Sequence, residues 1–171
     1  VNSYNELEIR FRNHKSITFR LFNEGLAYRL STSSKDSLKI IRENLDIYFD
    51  SADSARFQSS ETFNSAYETP YEHKRLEAIG PGKLCNLPLL VEKRNGLFIM
   101  ITETDLYNYP GLWLKGTGKP QLSAVNPPYP KAFTTAGSEY VRNQVATTYD
   151  HIAKVNGTRT YPWRIFAVSS E

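Results

Sequence analysis

At 171 residues, with 40% hydrophobic and 23% charged side chains, the chain is sized for one domain, 1–171, and is not composed like a disordered segment. Its 21 basic and 18 acidic residues leave a net charge of +3, and the densest basic run, His73-Lys74-Arg75, is soon followed by Glu77, so nucleic acid is excluded as a partner. The longest uninterrupted apolar run, residues 97–101, is far too short for a membrane span, and the lone Cys85 permits neither an intramolecular disulfide nor a C-x-x-C site.

Residues 6–12 set Leu7, Ile9 and Phe11 against Glu8, Arg10 and Arg12, the period-two alternation of a strand with one wet face. Asn13-His14-Lys15 is polar and turn-like, which makes the next strand an antiparallel neighbour. That strand alternates Ile17, Phe19 and Leu21 with Thr18 and Arg20. Asn23-Glu24-Gly25 then supplies a glycine able to take positive φ. Leu26, Tyr28 and Leu30 alternate with Ala27 and Arg29 on the return.

Residues 31–37 read as a Ser/Thr-rich loop, and residues 38–42 and 44–49 as a pair of short strands turning at Glu43-Asn44. From 50 to 72 the periodicity is lost, and Phe57, Phe63, Tyr67 and Tyr71 lie scattered among polar residues. A long loop of the kind that carries function is expected there. Residues 75–78 predict a brief strand or turn, broken by Gly80-Pro81-Gly82. Residues 87–93 and 97–102 predict a second hairpin on Asn95-Gly96, the preferred pair for a type I′ turn with positive φ at both positions. Their near-continuous apolar runs predict strands covered on both faces.

Residues 103–107 predict a short helical turn ended by Pro110-Gly111, residues 112–114 a strand, and 116–130 a Gly/Pro-rich stretch without regular structure. Residues 141–149 alternate weakly. Residues 161–169 close the chain as a strand with Trp163, Ile165 and Ala167 on one face and Phe166 and Val168 on the other. Closely spaced hairpins without an amphipathic helix or an internal repeat predict an all-β fold, an antiparallel β-sandwich. Aromatics at 13% suit such a fold, and they also suit sugar binding, where rings stack on pyranose faces.

No G-x-G-x-x-G, phosphate loop, H-E-x-x-H or G-x-S-x-G is present. His14, His73 and His151 have no ligand spacing and read as surface residues. Asn156-Gly157-Thr158 fits a glycosylation sequon and says only that this loop is exposed. Glu68 stands between two tyrosines in Tyr67-Glu68-Thr69-Pro70-Tyr71, with Glu72 close behind. A loop carboxylate among aromatics can join a Ca²⁺ site, accept sugar hydroxyls, or simply be solvated, and the residues alone leave all three open. Glu103 and Asp105 form a second acidic pair, expected to cap the helical turn. A single carboxylate does not hydrolyse a glycoside, since the usual mechanism places two across the scissile bond.

Five segments occur here in a particular order: Asn5-Glu6-Leu7, the FRLFNEGLAYR hairpin, Tyr67-Glu68-x-x-Tyr71, the NGL…ITETDL…YPG run, and Pro162-Trp163-Arg164. The series resembles the amino-terminal domain of glycoside hydrolase family 97, whose members cleave α-glucosides or α-galactosides. The resemblance implies part of a galactose-mutarotase-like β-super-sandwich packed on the protein's own C-terminal catalytic barrel. An active-site Ca²⁺ would take one glutamate from this domain, Glu68 by position, with oligosaccharide substrate at the domain interface. It implies no catalytic acid, base or nucleophile in these residues, so the chain by itself is expected to be inert.

The chain starts at Val1 and enters a strand pattern almost at once, so it reads as an excised segment, with the first strands of the family's sandwich and the localisation signal of a periplasmic or secreted bacterial parent upstream. Two other readings compete. One is a free-standing carbohydrate-binding sandwich stacking sugars on Trp113, Trp163 and exposed tyrosines. The other is a structural interaction domain with a large exposed apolar face.

Overall fold

The computed structural model describes residues 3–135 and 144–170. In the first half the strands are β1 (Asn5–Arg10), β2 (Lys15–Phe22), β3 (Gly25–Thr32), β4 (Leu38–Ile40), β5 (Asp46–Tyr48), β6 (Ser54–Phe57), β7 (Ser59–Ser60), β8 (Glu72–Arg75) and β9 (Leu84–Cys85). There follow β10 (Leu89–Glu92), β11 (Phe98–Thr104), β12 (Trp113–Gly116), β13 (Gln121–Val125), β14 (Pro130–Thr134), β15 (Gln144–Thr148), β16 (Ala153–Val155), β17 (Arg159–Thr160) and β18 (Trp163–Ser169). Among the described residues the only helical segment is a 3-10 turn at Leu76–Ala78, and no helix is long and apolar enough to cross a membrane.

Every pairing is antiparallel. The large sheet runs β1-β2-β3-β18-β11-β10-β6-β8 with β17 beside β3, and the smaller runs β5-β13-β12-β9-β7. Two further ladders, β14-β15 and β16-β4, complete the strands. The sheets face each other across a core in which Ala55, Phe57, Leu89, Val91 and Ile101 of the large sheet meet Cys85, Leu114 and Leu122 of the smaller. Each large apolar side chain there contributes about 1.5–3 kcal/mol by leaving water. The β-sandwich expected from the alternation is therefore the observed architecture.

The rim of this core is Ile47 and Phe49 with Ile99 and Phe166. Beyond it, Leu7, Ile9 and Leu21 on β1 and β2 stay exposed. A second cluster of Ile152, Ala153, Val155 and Tyr161 packs with Leu30, Leu38 and Ile40.

Both hairpins around Gly25 and Gly96 form, with φ of 148° and 84° at the glycines. The second turn is not type I′. Asn95 keeps negative φ, Gly96 N–H donates to Lys93 O at 3.0 Å, and Lys93 N–H donates to Leu97 O at 2.8 Å. That is a three-residue loop closed by a glycine bulge. Its strands are sealed on one face only: Leu89, Val91 and Ile101 are buried, whereas Met100 on the opposite face is exposed.

Four other expectations change. Residues 38–49 are not a hairpin, because β4 pairs β16 while β5 pairs β13, and Glu43 between them turns inward. The aperiodic span contains β6, a strand of the large sheet, whose short Ser54-Ala55-Arg56-Phe57 alternation is weak because alanine supplies half of its apolar face. The Gly/Pro-rich stretch contains β13, since its prolines flank that strand instead of interrupting it. Residues 103–107 form no helix: β11 runs to Thr104, and Asp105 and Asn108 turn the chain with φ of 60° and 48°. Of the weak strand at 141–149, β15 is seen, and residues 141–143 lie outside the described residues.

Candidate functional site

The loops at one end of the sandwich converge. The segment between β7 and β8 carries Glu68, and its shape is fixed from below. Tyr67 has a left-handed φ of 59°, and its N–H donates to Ser65 Oγ at 3.2 Å. The Gln58 side-chain amide donates to Tyr67 O at 3.2 Å and to Thr69 O at 2.6 Å, gripping the backbone on both sides of Glu68. Thr69 Oγ1 donates to Ser59 O at 3.1 Å. Phe63 and Tyr67 lean on the Trp113 ring, with centroids 5.6 and 5.5 Å away. A backbone pinned in this way presents the Glu68 carboxylate outward, exposed, without a hydrogen bond or ion pair among the described residues.

The other acidic candidates are committed elsewhere. Glu72 accepts from Ser59 Oγ and lies 2.5 Å from Lys74 Nζ, contacts that hold its carboxyl below the ordinary value despite partial burial. Glu103 caps no helix. It accepts from Leu112 N–H at 2.9 Å and pairs with Arg164, a guanidinium only 1% exposed. Arg164 Nε and Nη2 also reach Glu43 at 2.9 and 2.7 Å, and Tyr109 O–H donates to Glu43 at 3.4 Å. Burial raises the Glu103 pKa, with the Glu43 charge adding to it, against the lowering effect of Leu112 N–H and Arg164. Burial likewise pushes the neighbouring Tyr28 up to about 12.

The triad fixes the segment between β11 and β12, and Asn126 Nδ2 helps by donating to Pro110 O at 3.3 Å and Gly111 O at 3.0 Å. No group of three or more metal-ligating side chains exists among the described residues. Among the described residues this end presents Glu68 and, across the groove, Asp105 as exposed carboxylates without a partner, and no cage.

Neither tryptophan is a sugar platform: Trp113 is 3% exposed and Trp163 6%. Phe63 and Tyr67 cover Trp113, and the guanidiniums of Arg20 and Arg29 lie 4.7 and 4.5 Å from the Trp163 ring. His14 and His73 are exposed, as expected. His151 is buried instead, stacked on Tyr129 and held by Asp150. The sequence reading missed Gln58, Glu43 and Arg164. Arg164 carried a signal, a charge in phase with Phe166, which packs on the core, and such a charge calls for a buried partner.

Residues 1–171 match the glycosyl-hydrolase 97 N-terminal family along their whole length. The chain belongs to that family. It is 35% identical over 180 residues to a retaining alpha-galactosidase of Bacteroides thetaiotaomicron, an alignment covering 99% of this chain and 27% of the relative. Among solved structures it superposes on a glycoside hydrolase family 97 enzyme from Pseudoalteromonas sp. strain K8 in complex with acarbose, with a TM-score of 0.71 and 14% identity. That match covers 100% of this chain and 27% of the other. A beta-arabinopyranosidase follows at 0.67 and 21% identity, over 98% and 27%. The chain thus spans little more than a quarter of the relatives it matches, and the structural likenesses establish the shared fold.

Proposed function

We propose that this chain is the non-catalytic amino-terminal part of a calcium-dependent α-glycosidase, that it packs on a catalytic barrel in the remainder of that protein, and that Glu68 lends one oxygen to the calcium. The observation that carries the reading is the clamp of Gln58 on both carbonyls flanking Glu68, which orders the loop and leaves the carboxylate free. Ca²⁺ needs about six to eight oxygens, so one exposed carboxylate is a contribution that other groups complete. When bound, the ion supplies Lewis-acid stabilisation of the departing oxygen. This chain's own part is to hold one ligand at a fixed place and to back it with the buried Arg164 triad. The family and the alpha-galactosidase relative favour an α-galactoside substrate, with an α-glucoside as the alternative.

The test is calcium titration of the full-length parent and its Glu68→Gln variant, which keeps the shape and an oxygen but removes the charge. We expect calcium affinity and kcat on the parent's α-glycoside to fall together, with the melting temperature in the absence of calcium unchanged. The 171-residue chain alone should bind calcium no more tightly than about millimolar and turn over nothing. Equal affinities in the two parents end the assignment.

A further inference from the structure

Beside the Glu68 loop lies a groove whose chemistry the calcium assignment does not use. Asn64 lines it from that loop, Tyr107 and Asn108 from the β11–β12 segment, Tyr129 from the approach to β14, and Asn156 from beyond β16. Tyr129 is half-exposed, and its ring lies on the His151 imidazole with 13° between planes and 5.6 Å between centroids. His151 is itself buried, with Nδ1 3.1 Å from Asp150 Oδ1, and that carboxylate is 2.8 Å from Lys39 Nζ. Tyr149 leans against both rings. A ring backed in this way is oriented before any ligand arrives, so binding costs little of its rotamer freedom.

Tyr107 is 75% exposed, yet its backbone is anchored, because Arg159 Nη2 donates to Tyr107 O at 2.9 Å and Nη1 to Asn108 O at 3.4 Å. Arg159 also bonds Thr160 O and lies over the Tyr109 and Tyr161 rings. The guanidinium is thereby occupied and does not offer the free fork that a phosphate or carboxylate ligand wants. Asp105 and Lys154, both exposed, leave one charge of each sign. The side-chain amides of Asn64, Asn108 and Asn156 make no hydrogen bond among the described residues. A carboxamide donates and accepts at once, as a sugar hydroxyl does, and an exposed ring face packs against the C–H face of a pyranose. Apolar walls with a few convergent neutral polar groups suit a small uncharged ligand.

We propose that this groove binds a neutral oligosaccharide, with Tyr129 and Tyr107 as ring platforms and Asn64, Asn108 and Asn156 as hydroxyl partners. The assignment rests on the glycosidase reading only for the choice of sugars. The experiment compares the full-length parent with its Tyr129→Ala, Tyr107→Ala and Tyr129→Phe variants. The substrates are an aryl α-galactoside against raffinose and stachyose, or an aryl α-glucoside against maltotriose and maltotetraose, whichever series the parent cleaves. The alanine variants should raise KM for the longer sugars about three- to tenfold, leave kcat and the aryl-glycoside KM unchanged, and Tyr129→Phe should restore the parent value.

Unchanged KM for the longer sugars overturns the proposal. So does an equal rise for both substrate kinds, which would mean that the groove is buried against the rest of the enzyme. If the parent cleaves neither series, the glycosidase reading fails. The groove is then decided by isothermal titration of the parent with raffinose and maltotetraose: binding lost in Tyr129→Ala supports it, and no binding at millimolar sugar overturns it.

Discussion

Gly25 and Gly96 both close hairpins with φ in the left-handed half of the map, at 148° and 84°, yet they should not be equally costly to replace. A Cβ added to Gly96 would meet nothing within 4 Å, so Gly96→Ala carries only the backbone penalty of about 1–2 kcal/mol. A Cβ on Gly25 would lie 2.1 Å from Phe166 O and 3.0 Å from Ala167 Cα, because Gly25 sits opposite Ala167 in the β3–β18 ladder. Relieving that contact means moving the strands apart by roughly 1 Å or more. The nearest ladder hydrogen bonds then weaken, at about 0.5–1.5 kcal/mol each, and the φ penalty is added. With two such bonds weakened, the sum puts Gly25→Ala at about 2–5 kcal/mol. Equilibrium urea unfolding of both variants measures the difference, which should be at least about 1 kcal/mol in favour of Gly96→Ala. Equal losses, or a smaller loss at Gly25, would refute the packing of β3 on β18 described above.

Two carboxylates should respond to pH with opposite sign. Asp53 is buried, which raises its pKa. Lys93 Nζ at 2.7 Å and the N–H groups of Asp50 and Arg94 at 3.0 and 3.2 Å outweigh that and lower it. A lowered folded pKa adds stability above the unfolded value near 4 that is lost as pH falls below it, so the deficit of Asp53→Asn should shrink from pH 7 to pH 3 in urea unfolding. A deficit independent of pH refutes this. Glu103 is raised, so the parent chain should gain stability relative to Glu103→Gln as pH falls from neutral toward 4, and a loss over that interval would contradict the raised value. Burial pushes the Cys85 thiol up to about 12, so the folded chain should resist alkylation at pH 8 and react only on unfolding; rapid labelling of the native chain would show the site to be open.

What the sequence made legible was whatever alternates cleanly. β2 and the start of β3 could be read to within a residue, because Ile17, Phe19, Leu21, Leu26, Tyr28 and Leu30 all point to one face and Gly25 marks the turn, whereas Ser31 and Thr32, read as loop, carry β3 on opposite Ser16 and Lys15. Pairing between distant segments was hidden, since a three-residue strand such as β4 carries too little pattern to name its partner, and β16 lies over a hundred residues on. β13 was masked by the prolines around it, which govern the loops and leave the strand between them alone. At the site, Glu68 stood out as a carboxylate among tyrosines on an aperiodic loop. The clamp from Gln58 did not, because a side-chain amide bonding two carbonyls about ten residues away leaves no periodic trace. His151 misled for a related reason: its burial depends on Tyr129 and Tyr149, which the β14–β15 ladder and the backbone bonds from Tyr129 N–H to His151 O and from Tyr149 N–H to Tyr129 O bring together.

The Arg164 triad shows how the large sheet positions the loops of the candidate site. Burying an ion pair contributes little net stability, and apolar side chains of the same volume would serve as well. Its worth lies in register. Arg164 stands directly opposite Glu103 in the β18–β11 ladder and opposite Tyr28 in the β18–β3 ladder. A slip of one residue would turn Arg164 to the outer face and leave Glu43 and Glu103 buried without their cation. The end of β11 is therefore held to one register. Glu103 passes that placement to Leu112 N–H, Leu112 precedes Trp113, and Trp113 carries Tyr67 next to Glu68. The carboxylate at the loop tip is thus located by a contiguous chain of contacts beginning at the buried Arg164 charge on β18.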